Sequence, residues 1–132
     1  MATYADQKPT VVIADDNIEC IQAAVELLQE GFEIVKSVND GTEALEAVRE
    51  LNPDLILLDI AMPCKDGFEI ARWIREGALP TRIILMTVTE DQEYALAAAE
   101  LGASYVVKRR LHSDLVRAAK EALAGNLFLS PV

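Results

Sequence analysis

The sequence is poor in cysteine and histidine. Its two cysteines, Cys20 and Cys64, match neither a zinc-binding nor a redox spacing. We therefore expect both to be reduced thiols in a reducing compartment. The single histidine, His112, is interpreted as a solvated or capping residue rather than a metal ligand.

Positive charge is also scarce. The chain has 12 basic and 22 acidic residues, which gives a formal net charge of −10. The phosphate backbone of a nucleic acid would be repelled by such a surface, so we expect this chain itself to bind no nucleic acid. The acidic excess is compatible with metal binding or with basic protein partners.

Long apolar runs are missing. The strongest runs are about four residues long, far short of the roughly 20 residues that a membrane-spanning helix needs. Residues 1–9 are polar and lack the apolar stretch of a secretory signal. These features predict a cytoplasmic protein that does not enter the membrane. With 132 residues, of which 52% are hydrophobic, the chain can form one domain with a real core.

Short apolar runs alternate with stretches of helical period. The runs are Val11–Ala14, the more polar Glu33–Val38, Leu55–Leu58, Ile83–Met86 and Tyr105–Val107. Helical spacing covers about residues 18–28, 44–51, 68–74, 90–101 and 113–124. Five strands alternating with five helices predict the α/β class, with a parallel sheet covered on both faces. The mixed second run suits an edge, so we expect a doubly wound, flavodoxin-like sheet of order 2-1-3-4-5.

Polar residues stand where four of these runs end. Asp15 and Asp16 follow the first run, Asp59 the third, Thr87 the fourth and Lys108 the fifth. In such a sheet, ligands bind at the carboxyl ends of the strands, beside the point where strand order reverses. Taken singly, Asp16 reads as a helix cap, Thr87 as a turn residue and Lys108 as a solvated charge. Together, three carboxylates need a cation or a raised pKa, and oxygen ligands without His or Cys select Mg²⁺ or a similar ion.

The chain resembles the receiver domains of two-component response regulators, from about Thr10 to about Gly125. The resemblance rests on V-V-I-A-D-D, D-L-I-L-L-D-I-A-M-P-C-K-D-G, I-I-L-M-T and L-G-A-S-Y-V-V-K. It implies a phosphoacceptor switch that depends on Mg²⁺ or Mn²⁺ and is not an enzyme, with slow intrinsic autodephosphorylation. Asp59 would take its phosphoryl group from a sensor histidine kinase or a phosphotransfer protein.

The resemblance also implies roles for individual residues. The metal ligands would be Asp15, Asp16, Asp59 and the backbone carbonyl of Ala61. The phosphoryl-binding and switch residues would be Thr87, Lys108 and Tyr105, and the residues that set the kinetics would be Ala61, Val88 and Thr89. On phosphorylation, Tyr105 would rotate into space that Thr87 leaves. Without the resemblance, Tyr105 reads as a half-buried aromatic on an edge strand.

The sequence departs from the family pattern at three places. Arg109 follows Lys108 where many receivers have a cis proline, and we expect a trans bond and a slightly different loop before the last helix. The segment G-A-S-Y is one residue shorter than usual before the fifth strand. Val88 stands where a smaller residue is common, and we expect it to slow turnover of the phosphoryl group.

Three rival interpretations fit less well. Haloacid-dehalogenase-type phosphatases carry the motif D-x-D-x-T, whose second Asp is the acid/base. Here Ile60 and Ala61 follow Asp59, so that acid/base is missing. A flavodoxin-type FMN carrier needs a hydroxyl-rich phosphate loop, and Asp15 and Asp16 would repel that phosphate. A degenerate receiver that only binds partners would have lost site residues, whereas all five positions are filled.

The expected division is an N-terminal tail at 1–9, a receiver domain at 10–125, and a tail at 126–132 that begins a linker. The ending A-L-A-G-N-L-F-L-S-P-V resembles the junction in regulators whose receiver precedes a helix-turn-helix domain. It implies a DNA-binding domain beyond Val132, control of transcription, and homodimerisation on phosphorylation. The alternative is a single-domain regulator whose tail folds back on the last helix.

Overall fold

Five parallel strands form one sheet in the order β2-β1-β3-β4-β5. The computed structural model describes residues 7–131, so residues 1–6 of the predicted N-terminal tail, and Val132, lie outside it. The strands are β1 (Thr10–Ala14), β2 (Glu33–Val38), β3 (Leu55–Asp59), β4 (Arg82–Thr87) and β5 (Ser104–Val107). Both the fold class and the strand order predicted from the sequence are confirmed.

Each strand leads into a helix: α1 (Ile18–Leu28), α2 (Gly41–Leu51), α3 (Gly67–Glu76), α4 (Gln92–Glu100) and α5 (Leu111–Leu123). The first four begin at side chains that accept a backbone N–H, namely Asn17, Asp40, Asp66 and Asp91. The cap of α1 is therefore Asn17, and Asp16 is not committed to capping.

The start of α5 differs from the expected one. A 3-10 turn over Lys108–Arg110 leads directly into α5, which begins at Leu111 rather than near Ser113. The peptide bond after Lys108 is trans, as predicted, since residues 7–131 contain no cis bond. The chain therefore turns tightly after β5 and places the residues after Lys108 beside the end of β4.

Two apolar clusters sandwich the sheet because side chains alternate along each strand. Val12 and Ala14 pack in the cluster beneath α2, α3 and α4, while Val11 and Ile13 pack in the cluster beneath α1 and α5. All five residues of β3 are buried, as expected for a central strand. None of the helices within residues 7–131 has the length and apolarity needed to cross a membrane.

The outer edge of β5 is covered by residues 126–131, which we call the C-terminal strap. The N–H of Tyr105 donates to the carbonyl of Phe128 at 2.9 Å, and the N–H of Ser130 donates to the carbonyl of Tyr105 at 2.8 Å. The pairing is parallel, with Leu129 opposite Tyr105. The strap also contacts α5, where the Arg117 guanidinium lies 5.4 Å from the Phe128 ring centre.

Candidate functional site

The three aspartates that the sequence singles out meet at the carboxyl edge of the sheet. Asp15 directly follows β1, Asp59 is the last residue of β3, and these two strands are neighbours. One carboxylate oxygen from each of Asp15, Asp16 and Asp59 lies within 4.8 Å of the others. Asp15 is fully buried and Asp59 is 5% exposed, whereas Asp16 faces solvent. The cluster is thus a half-open acidic pocket.

Backbone groups fix the two buried carboxylates. The N–H of Asn17 donates to Oδ1 of Asp15 at 2.8 Å, and the N–H of Ala61 donates to Oδ1 of Asp59 at 3.2 Å. Gly67 allows α3 to start against the end of β3, because a Cβ there would lie 2.6 Å from the carbonyl oxygen of Asp59. In both aspartates the Oδ2 atom remains available for another partner.

Lys108 bridges these two Oδ2 atoms. Its Nζ lies 2.7 Å from Oδ2 of Asp15 and 3.5 Å from Oδ2 of Asp59, and its side chain is 14% exposed. Burial acts to lower the pKa of Lys108, but its contact with Asp15 and the surrounding negative charge outweigh burial and raise that pKa. Lys108 is therefore a fixed cation of the pocket and not a solvated surface charge.

The pocket is short of positive charge even with Lys108 present. Burial, followed by the neighbouring Asp15 carboxylate, raises the pKa of Asp59 from 3.8 to about 6, against the opposing effect of Lys108. The Oδ2 atom of Asp15 is buried, and its contact with Lys108 is an ion pair rather than an aligned hydrogen bond. Both features fit a further cation, and carboxylate oxygens are the ligands that Mg²⁺ prefers.

A second group of residues lies at the ends of β4 and β5. Thr87 is almost fully buried, and its Oγ1 accepts the N–H of Thr89 at 3.0 Å, as a turn residue does. The hydroxyl of Tyr105 donates to the carbonyl of Thr89 at 2.9 Å. Val88, between Thr87 and Thr89 in the chain, is 77% exposed. The loop after β4 therefore connects the predicted phosphoryl-binding threonine to the predicted switch tyrosine.

The half-buried environment expected for Tyr105 from the residues alone is wrong. Its side chain is fully buried even though β5 is the last strand of the sheet. The C-terminal strap covers the outer edge of β5, and the loop after β4 covers the hydroxyl end. Tyr105 thus lies inside, with its hydroxyl end held by the loop after β4.

Other predicted residues are less informative. Ala61 donates its N–H to Asp59, but a ligand role for its carbonyl stays a prediction. His112 and Cys64 are exposed. Burial, then the neighbouring Asp15 carboxylate, raises the pKa of the Cys20 thiol to about 12, which keeps this thiol protonated beside the pocket.

Sequence reasoning missed two charged contacts near the site. Arg109 pairs with Glu90 across the loops that follow β5 and β4, and Arg110 pairs with Asp114. Glu90 and Arg109 are 19 residues apart, so no short motif joins them. Their position after two neighbouring strands was the only available signal.

Comparison with known proteins finds a matching family and several sequence relatives. Residues 11–120 match the family model of the response regulator receiver domain. The chain is 38% identical over 118 residues to a protein of Pseudomonas aeruginosa, covering 87% of this chain and 56% of that protein. It is 31% identical over 130 residues to the nitrate/nitrite response regulator protein NarL of Escherichia coli strain K12, covering 96% of this chain and 60% of NarL.

Solved structures agree with the sequence relatives. A two-component response regulator of the LuxR family from Aurantimonas superposes with a TM-score of 0.86 at 30% identity, covering 95% of this chain and 91% of that one. The signal receiver domain of NarL from Mycobacterium tuberculosis gives 0.85 at 29% identity, covering 91% and 99%. The chain spans 56 to 60% of the length of the two sequence relatives named above.

Proposed function

The chain belongs to the family of response regulator receiver domains, and we propose that it is a phosphoacceptor switch in which Asp59 receives a phosphoryl group. The donor is a phosphohistidine on a sensor histidine kinase or a phosphotransfer protein. The observation that carries the proposal is the pocket itself, where three carboxylate oxygens lie within 4.8 Å of one another and Lys108 contacts two of the carboxylates.

The acidic cluster suits a divalent metal. Asp15, Asp16 and Asp59 would hold Mg²⁺ or Mn²⁺, with the carbonyl of Ala61 as a further oxygen ligand. When bound, the ion supplies positive charge that neutralises the oxygens of the phosphoryl group. The buried Oδ2 of Asp15, which has no aligned hydrogen bond, supports this assignment.

The transfer itself uses the free oxygen of Asp59. Oδ2 of Asp59, the atom that the Ala61 N–H does not hold, forms a bond to phosphorus. The P–N bond to the donor histidine breaks, and its electron pair stays on the imidazole nitrogen. Lys108 stabilises the charge on the group in transfer. Thr87, whose hydroxyl proton is free to donate, hydrogen-bonds a phosphoryl oxygen.

The output is a shift between conformations. The bond from Thr87 to the phosphoryl group holds the loop after β4, and Tyr105 holds the same loop through Thr89. Only Ala95 and Ala98 of α4 are buried in the apolar core, so α4 is weakly anchored and can shift at low cost. Hydrolysis of the acyl phosphate resets the switch slowly, because neither Ala61 nor Thr89 offers an acid that could orient water.

The full-length protein acts on transcription in this proposal. NarL of Escherichia coli is a response regulator, LnrK of Bacillus subtilis is a transcriptional regulatory protein, and the chain spans 60% and 56% of their lengths. We propose a DNA-binding domain after residue 132, homodimerisation on phosphorylation, and a cytoplasmic location. Reading the gene beyond codon 132 tests the second domain, since an immediate stop codon would refute it.

Labelling with a small phosphodonor tests the acceptor assignment. Acetyl phosphate with Mg²⁺ should phosphorylate the wild-type chain, and intact-mass analysis should show one added phosphoryl group. Asp59→Asn should take up none. Asp54→Asn is a matched control, because Asp54 flanks β3 at the opposite end and binds Thr10 instead. Equal incorporation in the wild type and in Asp59→Asn would overturn the proposal.

A further inference from the structure

An ion pair joins the two loops that border the phosphoryl pocket. Nε of Arg109 donates to Oε2 of Glu90 at 2.8 Å, and Nη2 donates to Oε1 at 2.7 Å. Both oxygens of the carboxylate and two nitrogens of the guanidinium are used, which is the strongest and most directional geometry available to such a pair. Glu90 lies three residues after Thr87, and Arg109 follows Lys108 directly.

The same loop has a second attachment. The hydroxyl of Tyr105 bonds the carbonyl of Thr89, and the N–H of Thr89 bonds Oγ1 of Thr87. Residues 87–90 are therefore attached to β5 at Thr89 and to the turn after β5 at Glu90. Both attachments occur in one conformation, the one with Tyr105 fully buried.

We propose that Arg109 is a positioning residue: through Glu90 it holds the loop after β4 in the arrangement that keeps Tyr105 inside and aims Thr87 at the incoming phosphoryl group. This inference rests on the proposed function, because it assumes that the conformation with Tyr105 inside is the one that binds the phosphoryl group. Phosphorylation then reinforces a conformation that is already populated and does not create it.

The expected effect is a modest shift in an equilibrium. The side chains of Arg109 and Glu90 are 62% and 37% exposed, and exposed ion pairs are screened by water and salt. Loss of the pair should lower the population with Tyr105 inside, and thereby weaken phosphoryl binding by roughly two- to five-fold. Because the pair is exposed, its contribution should fade at high ionic strength.

Fluorine NMR on protein labelled with 3-fluorotyrosine measures both quantities. Tyr105→Phe identifies the Tyr105 resonance. Its position in the unphosphorylated chain reports the inside population, and titration with beryllofluoride and Mg²⁺ reports affinity for a phosphoryl mimic. Arg109→Ala and Glu90→Ala should each move the resonance and weaken beryllofluoride binding by roughly two- to five-fold. Arg72→Ala, which removes an exposed arginine of α3, is the matched control and should change neither.

Three comparisons separate positioning from general destabilisation. The double variant Arg109→Ala with Glu90→Ala should bind beryllofluoride no more weakly than either single variant. The exchange Arg109→Glu with Glu90→Arg should restore binding. Arg109→Lys should restore it only in part, because lysine lacks the planar fork. The difference between wild type and Arg109→Ala should shrink between about 0.05 and 1 M salt.

The outcomes distinguish the two levels of the proposal. Wild-type binding by Arg109→Ala with an unmoved Tyr105 resonance overturns the inference and leaves Asp59 as the acceptor. Additive losses in the double variant also overturn it. If the wild-type chain itself ignores beryllofluoride, the proposed function fails, while the Tyr105 resonance of the unphosphorylated variants still shows whether the ion pair holds the loop.

Discussion

Nζ of Lys108 lies 2.7 Å from Oδ2 of Asp15, the buried carboxylate oxygen that has no aligned hydrogen bond. The corresponding distance to Asp59 is 3.5 Å. The ammonium group is therefore closer to Asp15, a candidate metal ligand, than to Asp59, the proposed acceptor. A divalent metal bound to that oxygen would share it with Lys108 or displace Lys108, because the two cations repel each other.

Removal of Lys108 should therefore tighten metal binding. Lys108→Ala should raise the Mg²⁺ affinity of the unphosphorylated chain by roughly five-fold, which corresponds to about 1 kcal/mol. Isothermal titration calorimetry with Mg²⁺ measures this. Asp16→Ala should change the affinity in the opposite direction, because it removes a ligand while leaving the Asn17 cap of α1 in place. Unchanged Mg²⁺ affinity in both variants would contradict the metal assignment.

The raised pKa of Asp59 predicts a stability profile. Between pH 4 and pH 6 the folded chain holds a proton on Asp59, whose pKa is about 6, while the unfolded chain, with a pKa near 3.8, has released it. The free energy of unfolding should thus fall as pH rises through this window. Without divalent metal, Asp59→Asn should be more stable than wild type at pH 7, by about 1–3 kcal/mol.

Urea unfolding in the presence of EDTA, at several pH values, tests this profile. All other titrating groups are shared, so the difference between wild type and Asp59→Asn isolates the contribution of Asp59. The difference in stability between the two proteins should shrink as pH falls from about 6 to about 4. A difference that is constant from pH 4 to pH 7 would mean that Asp59 ionises normally in the folded chain.

Val88 should slow turnover of the phosphoryl group. It is the most exposed of the exposed large apolar side chains of residues 7–131, and it directly follows Thr87 in the chain. Val88→Ala should open the path for water and small donors, and speed autodephosphorylation and acetyl-phosphate labelling by roughly two- to five-fold. Leu96→Ala, an exposed apolar truncation on α4, serves as the control. Unaltered rates of both reactions in Val88→Ala would rule out the steric idea.

Ser130 should stabilise the domain through the strap. Its buried hydroxyl donates to Oδ2 of Asp114 at 2.7 Å and accepts the N–H of Val107 at 3.2 Å. Ser130→Ala leaves a buried carboxylate and a buried N–H each with one partner fewer, and should lower the free energy of unfolding by about 1–3 kcal/mol. The hydroxyl of Ser113 is exposed and donates to the carbonyl of Arg110, so Ser113→Ala should lower the free energy of unfolding by less. Equal stability of the two variants would argue against a structural role for the strap.

The fold could be predicted almost fully from the sequence, because the cues are local. Uniformly apolar runs, such as Leu55–Leu58, mark central strands, and the polar residues in Glu33–Val38 mark an edge. The carboxylate cluster could also be predicted, since a parallel sheet brings the ends of its strands to one side. The distance between Asp15 and Lys108 could not, because it depends on the tight 3-10 turn after β5.

The environment of Tyr105 illustrates the limit of such reasoning. Its position on the last strand indicates partial exposure, and that inference ignores any segment added to the edge from outside the repeating pattern. The strap has no strand-like periodicity of its own, and its bonds to Ser104 and Asp114 use side-chain oxygens. Contacts between segments far apart in sequence, such as Arg109 with Glu90, could not be predicted either, because local patterns carry no information about them.

The strap also bears on how the protein behaves at high concentration. A bare β5 would present the N–H groups of Tyr105 and Val107 as an open template for strands of other molecules, a common route to aggregation. At the opposite edge of the sheet, the exposed charges of Glu33 and Lys36 disfavour pairing of β2 with strands of other molecules. A chain cut after Gly125 would keep the acidic pocket but expose the edge of β5. It should precipitate or form fibrils under conditions in which the longer chain stays dispersed.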